Sequence, residues 1–410
     1  MRFSDDVVTL SPAGLPMVGN LATGGIIGLT SEGARLCAAL SEREVFPAEV
    51  PQGCHELVGH LERGGYLGPA KREATRLDST YLHVTQRCNL SCRFCYSEGD
   101  DRNRLADPPL ASLCRAVDLL ASLGCARLVI SGGEPFLRDG LPELAGRARD
   151  KGIPEVVVLT NGLLVDEARV RALHGAVSCV AVAFDGASAD APAPLRGPQN
   201  YERLVRAVEV IRDAGIEARI LPTLHAANLD DIPRYRRLAE ELGATLGFSL
   251  LTAPGDELGE LRLTDEQLRR LGTRPPAGVR PTGDALDPSA LPTLCARSSC
   301  GAGRRTLSVA ADGTVYPCHM LHVRELALGN AFEGSLGATA EMPSVDDVEG
   351  CSSCDVRYLC GGGCRARALM ATGSLSGRDP YCELSRSHYT GLCEQLARRF
   401  RGEGVDDHAV

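Results

Sequence analysis

The stretch at residues 81–99, YLHVTQRCNLSCRFCYSEG, determines how the rest of the chain is interpreted. Its first five residues are mostly β-branched or aromatic, which predicts a strand. The loop that follows has a C-x3-C-x2-C spacing formed by Cys88, Cys92 and Cys95. A cluster of four irons normally takes four thiolates. Three neighbouring cysteines therefore predict an iron–sulfur cluster in which one iron is free to bind another ligand.

This loop resembles the cluster-binding loop of the radical SAM superfamily. The resemblance implies a [4Fe–4S] cluster on which S-adenosylmethionine chelates the free iron and is cleaved by one electron to a 5′-deoxyadenosyl radical. It also implies that Phe94, the aromatic residue before the third cysteine, lies next to the adenine. The residues alone leave open a zinc site or a set of buried cysteines, but zinc takes four ligands and no fourth ligand lies nearby.

Strand-like and helix-like segments alternate from residue 78 to about residue 270. The predicted strands are 81–85, 127–131, 155–160, 177–184, 218–223 and 244–251, and the helices between them include 110–123, 201–214 and 229–242. Repeated βα units predict an α/β fold with a parallel sheet and helices outside it. Six such units resemble the partial (β/α)6 TIM-like barrel of the superfamily. In parallel barrels the chemistry lies at the carboxyl ends of the strands.

Two motifs follow predicted strands, and the radical SAM superfamily has both. The GGEP motif at residues 132–135 follows the second strand, and the resemblance implies that its backbone and glutamate orient the amino group of S-adenosylmethionine. Asn161, in a TNG motif after the third strand, is expected near the ribose. Arg196 is expected to clamp the cofactor's carboxylate, because a guanidinium binds carboxylates through two parallel hydrogen bonds. The predicted cofactor-binding residues are Phe94, Gly132, Gly133, Glu134, Pro135, Asn161 and Arg196.

The segment around the fourth strand departs from the superfamily pattern. Ala183 occupies a position where the family more often has serine, whose hydroxyl helps to hold the cofactor's carboxylate. A His-Asp pair that often precedes the later Arg-Gly is also missing, since residues 193–197 read APLRG. No catalytic base is identified from the sequence.

The C-terminal third contains a second set of cysteines. Its spacing, CX12GX4C followed by CX2CX5CX3C and a last cysteine, resembles the SPASM domain, the auxiliary-cluster extension of radical SAM enzymes that modify peptides and proteins. With Cys295 there are eight thiolates, enough for two further [4Fe–4S] clusters. By this resemblance, the first auxiliary cluster takes Cys295, Cys300, Cys318 and Cys364, and the second takes Cys351, Cys354, Cys360 and Cys382. The alternative is a pair of zinc sites in a nucleic-acid-binding ribbon, since zinc uses the same residue type.

Residues 1–75 predict a small winged-helix-like α+β domain. Two short strands around a turn at residues 12–14, a third segment at 26–30 and helices over 31–40 and 50–61 make up the pattern. The pattern resembles the RiPP recognition element, in which a leader peptide adds as an extra strand beside the hairpin. The alternatives are a DNA-binding winged helix, which the absence of a Lys/Arg run disfavours, and a purely structural cap.

Composition excludes several classes of function. The chain has 410 residues, 44% of them hydrophobic, and a net charge of −9, so no general attraction to nucleic acid or anionic membranes is expected. No apolar run predicts a membrane span, and the first residues do not predict a secretory signal. Seventeen cysteines without an export signal indicate metal ligands in a reducing, cytoplasmic compartment.

The sequence therefore predicts five segments. They are a peptide-binding domain at 1–75, a radical SAM partial barrel at 76–270, a linker at 271–294, a SPASM domain at 295–385, and a C-terminal helix and tail at 386–410.

The resemblances imply a radical SAM/SPASM enzyme that oxidatively crosslinks a ribosomal precursor peptide, with S-adenosylmethionine and three [4Fe–4S] clusters as cofactors. The electron donor would be a flavodoxin or ferredoxin. One alternative is a formylglycine-type protein maturase or a small-molecule dehydrogenase with the same radical chemistry. A remote alternative is a zinc and nucleic-acid-binding module without catalysis.

Overall fold

The computed structural model describes residues 1–69, 76–97, 103–197, 200–273, 294–337 and 342–400. Most of the predicted linker at 271–294 lies outside these residues, as does the tail after residue 400. No helix in the described parts of the chain is long and apolar enough to cross a bilayer.

The N-terminal module, defined here as residues 1–69, combines a small sheet with two helices. Its strands β1 (Val7–Leu10), β2 (Met17–Asn20) and β3 (Ile26–Gly28) pair antiparallel in chain order. Helices α1 (Ser31–Glu42) and α2 (His55–Arg63) follow. Thr30 starts α1, because its hydroxyl accepts a hydrogen bond from the backbone N–H of Gly33 at 3.1 Å. The module has its own apolar core, which includes Val18, Leu36, Leu40, Leu61 and Tyr66.

The central domain is a parallel sheet covered by helices on its outer side. Its strands are β4 (Ser79–His83), β5 (Arg127–Ser131), β6 (Glu155–Thr160), β7 (Cys179–Phe184), β8 (Glu217–Leu224), β9 (Thr245–Leu246) and β10 (Ser249–Leu250). Its helices are α3 (Leu110–Ser122), α4 (Leu141–Asp150), α5 (Glu167–Arg171), α6 (Tyr201–Asp213), α7 (Ile232–Glu241), α8 (Gly255–Leu258) and α9 (Asp265–Thr273). The strands lie in the order β10-β8-β7-β6-β5-β4, with β9 also on β8, and all neighbours pair parallel. This arrangement is the predicted partial barrel.

Alternating residues of the strands form two apolar layers, as the two-residue period of a strand requires. The outer layer packs against the helices and includes Leu82, Ile130, Val158, Val182 and Ile220. The inner layer consists of Val129, Val157, Cys179 and Ala181, with Tyr81 and Leu159 packed against it. The inner layer faces the barrel interior, which we call the lumen.

The cysteine-rich C-terminal region extends the barrel sheet. Strand β11 (Thr306–Val309) pairs parallel with β4, and β12 (Thr314–Tyr316), β13 (Gly329–Asn330) and β14 (Ser335–Leu336) continue antiparallel beyond it. Helices α10 (Arg357–Cys360), α11 (Arg365–Thr372) and α12 (Cys382–Phe400) complete the region. The predicted SPASM region is therefore continuous with the barrel through β4.

The N-terminal module packs against the C-terminal region. Residues of both form one apolar cluster, which includes Leu10, Leu15 and Met17 of the module and Val356, Leu359, Tyr389 and Cys393 of the C-terminal region. A backbone hydrogen bond of 2.9 Å from Ala296 N to Gly24 O joins the turn after β2 to the residue that follows Cys295.

The observed elements differ from the prediction at several places. The helix predicted over 50–61 begins only at His55, after 3₁₀ turns at Pro47–Glu49 and Gln52–Cys54, and the C-terminal helix begins at Cys382 instead of 386. The predicted strand at 244–251 is interrupted at 247–248 and forms β9 and β10, which both pair with β8 in the same register. The predicted helix at 229–242 begins with a 3₁₀ turn, since Pro233 occupies the first turn of α7. Strand β4 covers 79–83 instead of 81–85, and Thr85 lies in the loop after it.

Candidate active site and iron–sulfur sites

The loop that carries Cys88 is braced where it leaves β4. The Nε atom of Arg87 lies 3.1 Å from both carboxylate oxygens of Asp107, and the Arg87 backbone N–H donates to Thr85 Oγ1 at 3.0 Å. Although burial favours the neutral carboxyl, hydrogen bonds from Arg87 and Thr85 lower the pKa of Asp107. Asp107 is therefore ionised at neutral pH and fixes the start of the cysteine loop. The sequence reasoning missed it because nothing in its neighbourhood forms a motif.

The two glycines of the GGEP motif lie against the same loop. Gly133 N donates to Thr85 O and Glu134 N donates to Arg87 O, both at 2.8 Å. A Cβ atom at Gly133 would lie 2.1 Å from Arg87 O, and one at Gly132 would lie 2.4 Å from Thr85 O. These positions require glycine because a side chain would displace the backbone that precedes Cys88.

Glu134 is completely buried at the carboxyl end of β5. Its Oε1 atom accepts hydrogen bonds from Phe136 N at 3.0 Å and Thr160 Oγ1 at 2.7 Å, and its Oε2 atom accepts one from Asn161 N at 2.8 Å. Burial raises the pKa of Glu134, and these hydrogen bonds oppose that effect. The carboxylate thus joins the ends of β5 and β6. Pro135 is buried next to it in a 3₁₀ turn.

Asn161 lies beside the first cysteine. Its Nδ2 atom donates to Asn89 Oδ1 at 2.8 Å and lies 4.0 Å from Cys88 Sγ. The backbone N–H of Cys88 donates to Asn103 Oδ1 at 2.8 Å. The GGEP and TNG motifs, which are separate in sequence, therefore meet at the cysteine loop.

The far end of the loop is attached to the other side of the barrel mouth. Phe94 has a left-handed backbone with φ of 61°, and the guanidinium of Arg93 lies 4.5 Å from the centroid of its ring. The Arg93 N–H donates to Leu195 O at 3.2 Å. The ring packs against an apolar group formed by Leu195, Leu251, Leu258 and Leu261. Cys88, Cys92 and Cys95 are all half-buried in this loop.

Arg196 lies at the end of β7, held by Asp185. The Asp185 carboxylate accepts from Leu195 N at 2.8 Å and from Arg196 N, and Arg196 Nη1 donates to Phe184 O at 3.2 Å. Burial raises the pKa of Asp185, and its Oδ1 atom has no hydrogen-bond partner among the described residues. Asp185 positions the predicted carboxylate clamp, a role that the sequence did not indicate.

Four cysteines line one cavity in the C-terminal region. They are Cys351, Cys354, Cys360 and Cys382, the set predicted for the second auxiliary cluster. Burial raises the pKa of Cys351, and the neighbouring Cys382 and Cys354 raise it further. Four cysteines that line one cavity are the donor type that an iron–sulfur cluster takes, because such a cluster binds thiolates.

Three of the four residues predicted for the first auxiliary cluster lie together. Cys300, Cys318 and Cys364 pack in one apolar group with Ala302, Leu321 and Ala366. Burial raises the pKa of Cys300, and Cys364 raises it further. Cys295 lies beside Arg305 and the turn at Gly24 of the N-terminal module. The three grouped thiols fit a cluster, and the assignment of Cys295 stays a prediction.

A buried ion pair lies between the two groups of cysteines in the C-terminal region. Asp379 pairs with Arg367 through hydrogen bonds of 2.9 and 2.8 Å, and it also accepts from Cys364 N at 2.7 Å and Tyr381 N at 2.9 Å. Burial alone would raise the pKa of Asp379, but the charge of Arg367 lowers it. Asp379 therefore links Cys364, assigned to the first cluster, to the segment that leads to Cys382 of the second.

The sequence reasoning also missed a group of histidines and tyrosines in the lumen. His83, Tyr96, His319 and His322 contact one another edge to edge or face to face. These residues follow no spacing pattern along the chain, so only the fold brings them together. The alternation of side chains along β4 places His83 on the lumen side, which is the one signal in the sequence.

The fold and these sites define a class of protein: a partial parallel barrel with a three-cysteine loop at its mouth and a cysteine-rich extension on its first strand. A family model described as the radical SAM superfamily matches residues 82–239. A second, for the SPASM iron–sulfur cluster-binding domain, matches residues 300–355.

Relatives of known name match over most of the chain. A "PqqA peptide cyclase" from Methylobacterium sp. (strain 4-46) is 30% identical over 336 residues, which is 74% of this chain and 86% of that protein. An "AdoMet-dependent heme synthase" from Methanosarcina barkeri is 28% identical over 331 residues, covering 73% of this chain and 94% of the relative. The chain belongs to the radical SAM superfamily and carries a C-terminal SPASM region.

Solved structures agree with this fold. The His-tagged anSMEcpe with bound AdoMet has a TM-score of 0.59 at 19% identity, covering 78% of this chain and 98% of that one. Streptococcus suis SuiB bound to precursor peptide SuiA has a TM-score of 0.56 at 15% identity, covering 93% of this chain and 99% of that one. At these identities the likeness is evidence of fold.

Proposed function

We propose that this chain cleaves S-adenosylmethionine and uses the resulting radical to crosslink a ribosomally made precursor peptide. The observation that carries the proposal is the convergence of the GGEP and TNG motifs on the three-cysteine loop, in a chain that also brings four cysteines to one cavity. The names of the relatives, several of which are peptide cyclases, favour a peptide substrate.

The cofactors that fit these residues are S-adenosylmethionine and three [4Fe–4S] clusters. Cys88, Cys92 and Cys95 would hold the first cluster, and the two auxiliary sets would hold the other two. When bound, the first cluster supplies the electron that cleaves the sulfonium. The residues of the chain would hold the cofactor: the backbone of Gly132 and Gly133 at its amino group, kept in place by the buried Glu134, with Arg196 at its carboxylate and Phe94 at its adenine.

The N-terminal module would bind the leader of the precursor peptide. Strand β3 is the last strand of its sheet within the described residues, so its outer edge has backbone groups that a further strand could pair with. A leader bound there would keep the core peptide near the barrel mouth, since the module packs on the C-terminal region that adjoins the barrel. A flavodoxin or ferredoxin would supply the electron.

Mass spectrometry tests the proposal directly. The enzyme, purified without oxygen, is incubated with S-adenosylmethionine, dithionite and a candidate precursor peptide, chosen from small open reading frames beside its gene. We expect a product about 2 Da lighter than the peptide and a crosslink between two of its residues. A peptide recovered unchanged, while a Cys or Ser of another protein is oxidised to formylglycine, would favour the alternative maturase instead.

A further inference from the structure

Six rings cover the lumen face where the barrel meets the C-terminal region. We call them the lumen ring cluster: Tyr81, His83, Tyr96, Tyr316, His319 and His322. In the register of the sheet, Ser308 of β11 lies opposite Tyr81 of β4 on one side and opposite Tyr316 of β12 on the other. Paired residues point to the same face of a sheet. The lumen face of the barrel therefore continues across β11 to β12.

The loop after β12 folds back over this face and contributes two histidines. His319 stacks on Tyr81 with ring centroids 4.0 Å apart, and Tyr96 meets it edge-on at 5.5 Å. His322 stacks on Tyr316 at 4.5 Å and lies 4.8 Å from His83. Each ring thus touches at least one other, which makes the cluster continuous.

The lumen ring cluster reaches both kinds of cysteine site. Tyr96 directly follows Cys95 of the three-cysteine loop, and its hydroxyl lies 2.5 Å from Ser131 Oγ at the end of β5. At the other end, His319 directly follows Cys318, and its Nδ1 lies 3.7 Å from the Cys318 sulfur. The cluster therefore spans the space between the S-adenosylmethionine site and the first auxiliary site.

Among the histidines of the cluster, His322 has a ring whose orientation is fixed by a side-chain hydrogen bond. It also lies several residues along the chain from the nearest predicted cysteine ligand. Its Nε2 lies 2.8 Å from the hydroxyl of Ser308, which is completely buried. If Nε2 carries the proton and donates it to Ser308, the lone pair of the ring is on Nδ1. Burial lowers the pKa of His322 to about 4, and Asp312 opposes this, so the imidazole is neutral at neutral pH.

The neighbouring His83 is completely buried, and neither of its ring nitrogens has a hydrogen-bond partner among the described residues. Burial lowers its pKa well below the ordinary value, and His322 and His319 lower it further. Two imidazoles this close do not both become charged, because like charges repel. The pair formed by His83 and His322 can therefore take up one proton at a time.

We propose that His322 accepts the proton that the peptide loses when the crosslink forms, and that Ser308 is the positioning residue that leaves Nδ1 free. This inference rests on the proposed function. The crosslink joins a carbon atom of the peptide to a second peptide atom. The carbon gives a hydrogen atom to the 5′-deoxyadenosyl radical, which is formed from S-adenosylmethionine and one electron. The other atom gives its proton to His322 as the new bond forms, and the one electron left over would go to an iron–sulfur acceptor, which Cys300, Cys318 and Cys364 would hold.

The test separates the two halves of this reaction by measuring 5′-deoxyadenosine and crosslinked peptide independently. In His322→Gln we expect 5′-deoxyadenosine within about twofold of the wild type and crosslinked peptide reduced about 100-fold, as for a lost general base. Ser308→Ala should reduce crosslinking about tenfold. The control His388→Gln, on α12, should change neither.

A second variant guards against a purely structural effect. In His322→Ala, added imidazole should restore crosslinking at least about tenfold, with iron content equal to that of the wild type. The proposal is overturned if His322→Gln crosslinks normally, if both products and the iron content fall together, or if imidazole rescues nothing. A wild-type enzyme that forms 5′-deoxyadenosine but never a crosslink would instead refute the proposed function.

Discussion

Gly133 is the position in the candidate active site where an added Cβ atom would come closest to a neighbouring atom. Replacing it with alanine would place a Cβ atom 2.1 Å from Arg87 O and push the backbone that leads to Cys88. We expect Gly133→Ala to form at least about tenfold less 5′-deoxyadenosine and to bind about eight irons instead of the twelve of three four-iron clusters. Chemical iron analysis and chromatography of the nucleoside measure both.

Gly146→Ala is the matched control for this change. Gly146 lies within α4, and a Cβ atom there meets nothing within 4 Å. Alanine also favours a helix over glycine by up to about 1 kcal/mol, so stability should not fall. If the Gly146 and Gly133 variants lose the same amount of activity, the glycine of the GGEP motif has no special role in holding the cysteine loop.

The ion pair between Asp379 and Arg367 is the second residue-scale test. Asp379→Asn leaves a buried guanidinium unpaired, which costs about 3–5 kcal/mol. Because the same carboxylate accepts from Cys364 N, we expect the variant to lose both auxiliary clusters and retain about four irons. Thermal unfolding and iron analysis measure the effect, and an unchanged iron content would contradict it.

The same pair predicts the acid sensitivity of the C-terminal region. The folded-state pKa of Asp379 lies below its unfolded value, so the pair stabilises the protein above the unfolded pKa of about 3.9. This stabilisation is lost as the pH falls through the folded-state pKa. The wild type should therefore lose more stability than Asp379→Asn when unfolding is followed from pH 6 down to pH 3. Parallel pH profiles of the two proteins would be the contrary result.

At the residue scale, sequence reasoning identified candidate residues only where they form motifs. The GGEP motif and the cysteines could be found from spacing, and the structure brings GGEP, TNG and Cys88 together. Asp107, Asp185 and the lumen ring cluster could not, because each depends on contacts that form only once the loops and strands have folded together. Their partners are set by strand register and loop closure, which no local pattern encodes.

At the scale of elements, the pairing of β11 with β4 joins the barrel to the cysteine-rich region. The two strands are parallel, and Leu307 and Val309 of β11 belong to the main apolar core. A chain that ends at residue 293 would expose the unpaired edge of β4 and the apolar surface that β11 covers. We expect such a chain to aggregate, and size-exclusion chromatography would show this. A soluble monomer with native circular dichroism would contradict the expectation.

Most barrel elements could be predicted because their apolar patterns are strong. The strands Arg127–Ser131 and Glu155–Thr160 have the predicted bounds, since continuous apolar residues buried on both faces are typical of parallel strands. The pairing of β11 with β4 could not be predicted, because more than 200 residues separate the two strands in the sequence. Long-range pairing of that kind depends on the closure of the whole barrel.

At the scale of the whole molecule, the proposed leader site lies on the edge of β3. Hydrogen bonds from Asn20 N to Gly25 O and from Leu29 N to Pro16 O show which residues of β3 and its flanks bond to β2. By the alternation of an antiparallel ladder, the N–H of Gly28 points away from β2. Gly28→Pro removes that donor, so we expect at least tenfold weaker binding of the precursor peptide, measured by calorimetry or fluorescence anisotropy.

The opposite edge of the same sheet offers the control. The hydrogen bond from Leu21 N to Asp6 O implies by the same alternation that the N–H of Thr9 on β1 points away from β2. Thr9→Pro should therefore leave peptide affinity within about twofold of the wild type. Equal losses in both variants would indicate a general effect on the module. A point change is preferable to deletion, because the module shares an apolar cluster with the C-terminal region.

The central claim is that the loop of Cys88, Cys92 and Cys95 holds a cluster whose fourth iron binds S-adenosylmethionine. The most direct measurement is the formation of 5′-deoxyadenosine by the anaerobic, iron-loaded enzyme given dithionite, S-adenosylmethionine and its peptide. The account predicts this nucleoside from the wild type, and none from a variant in which the three cysteines are alanine and the auxiliary clusters are retained. An iron-loaded wild type that forms none with its peptide present, or a triple variant that still forms it, would contradict the account.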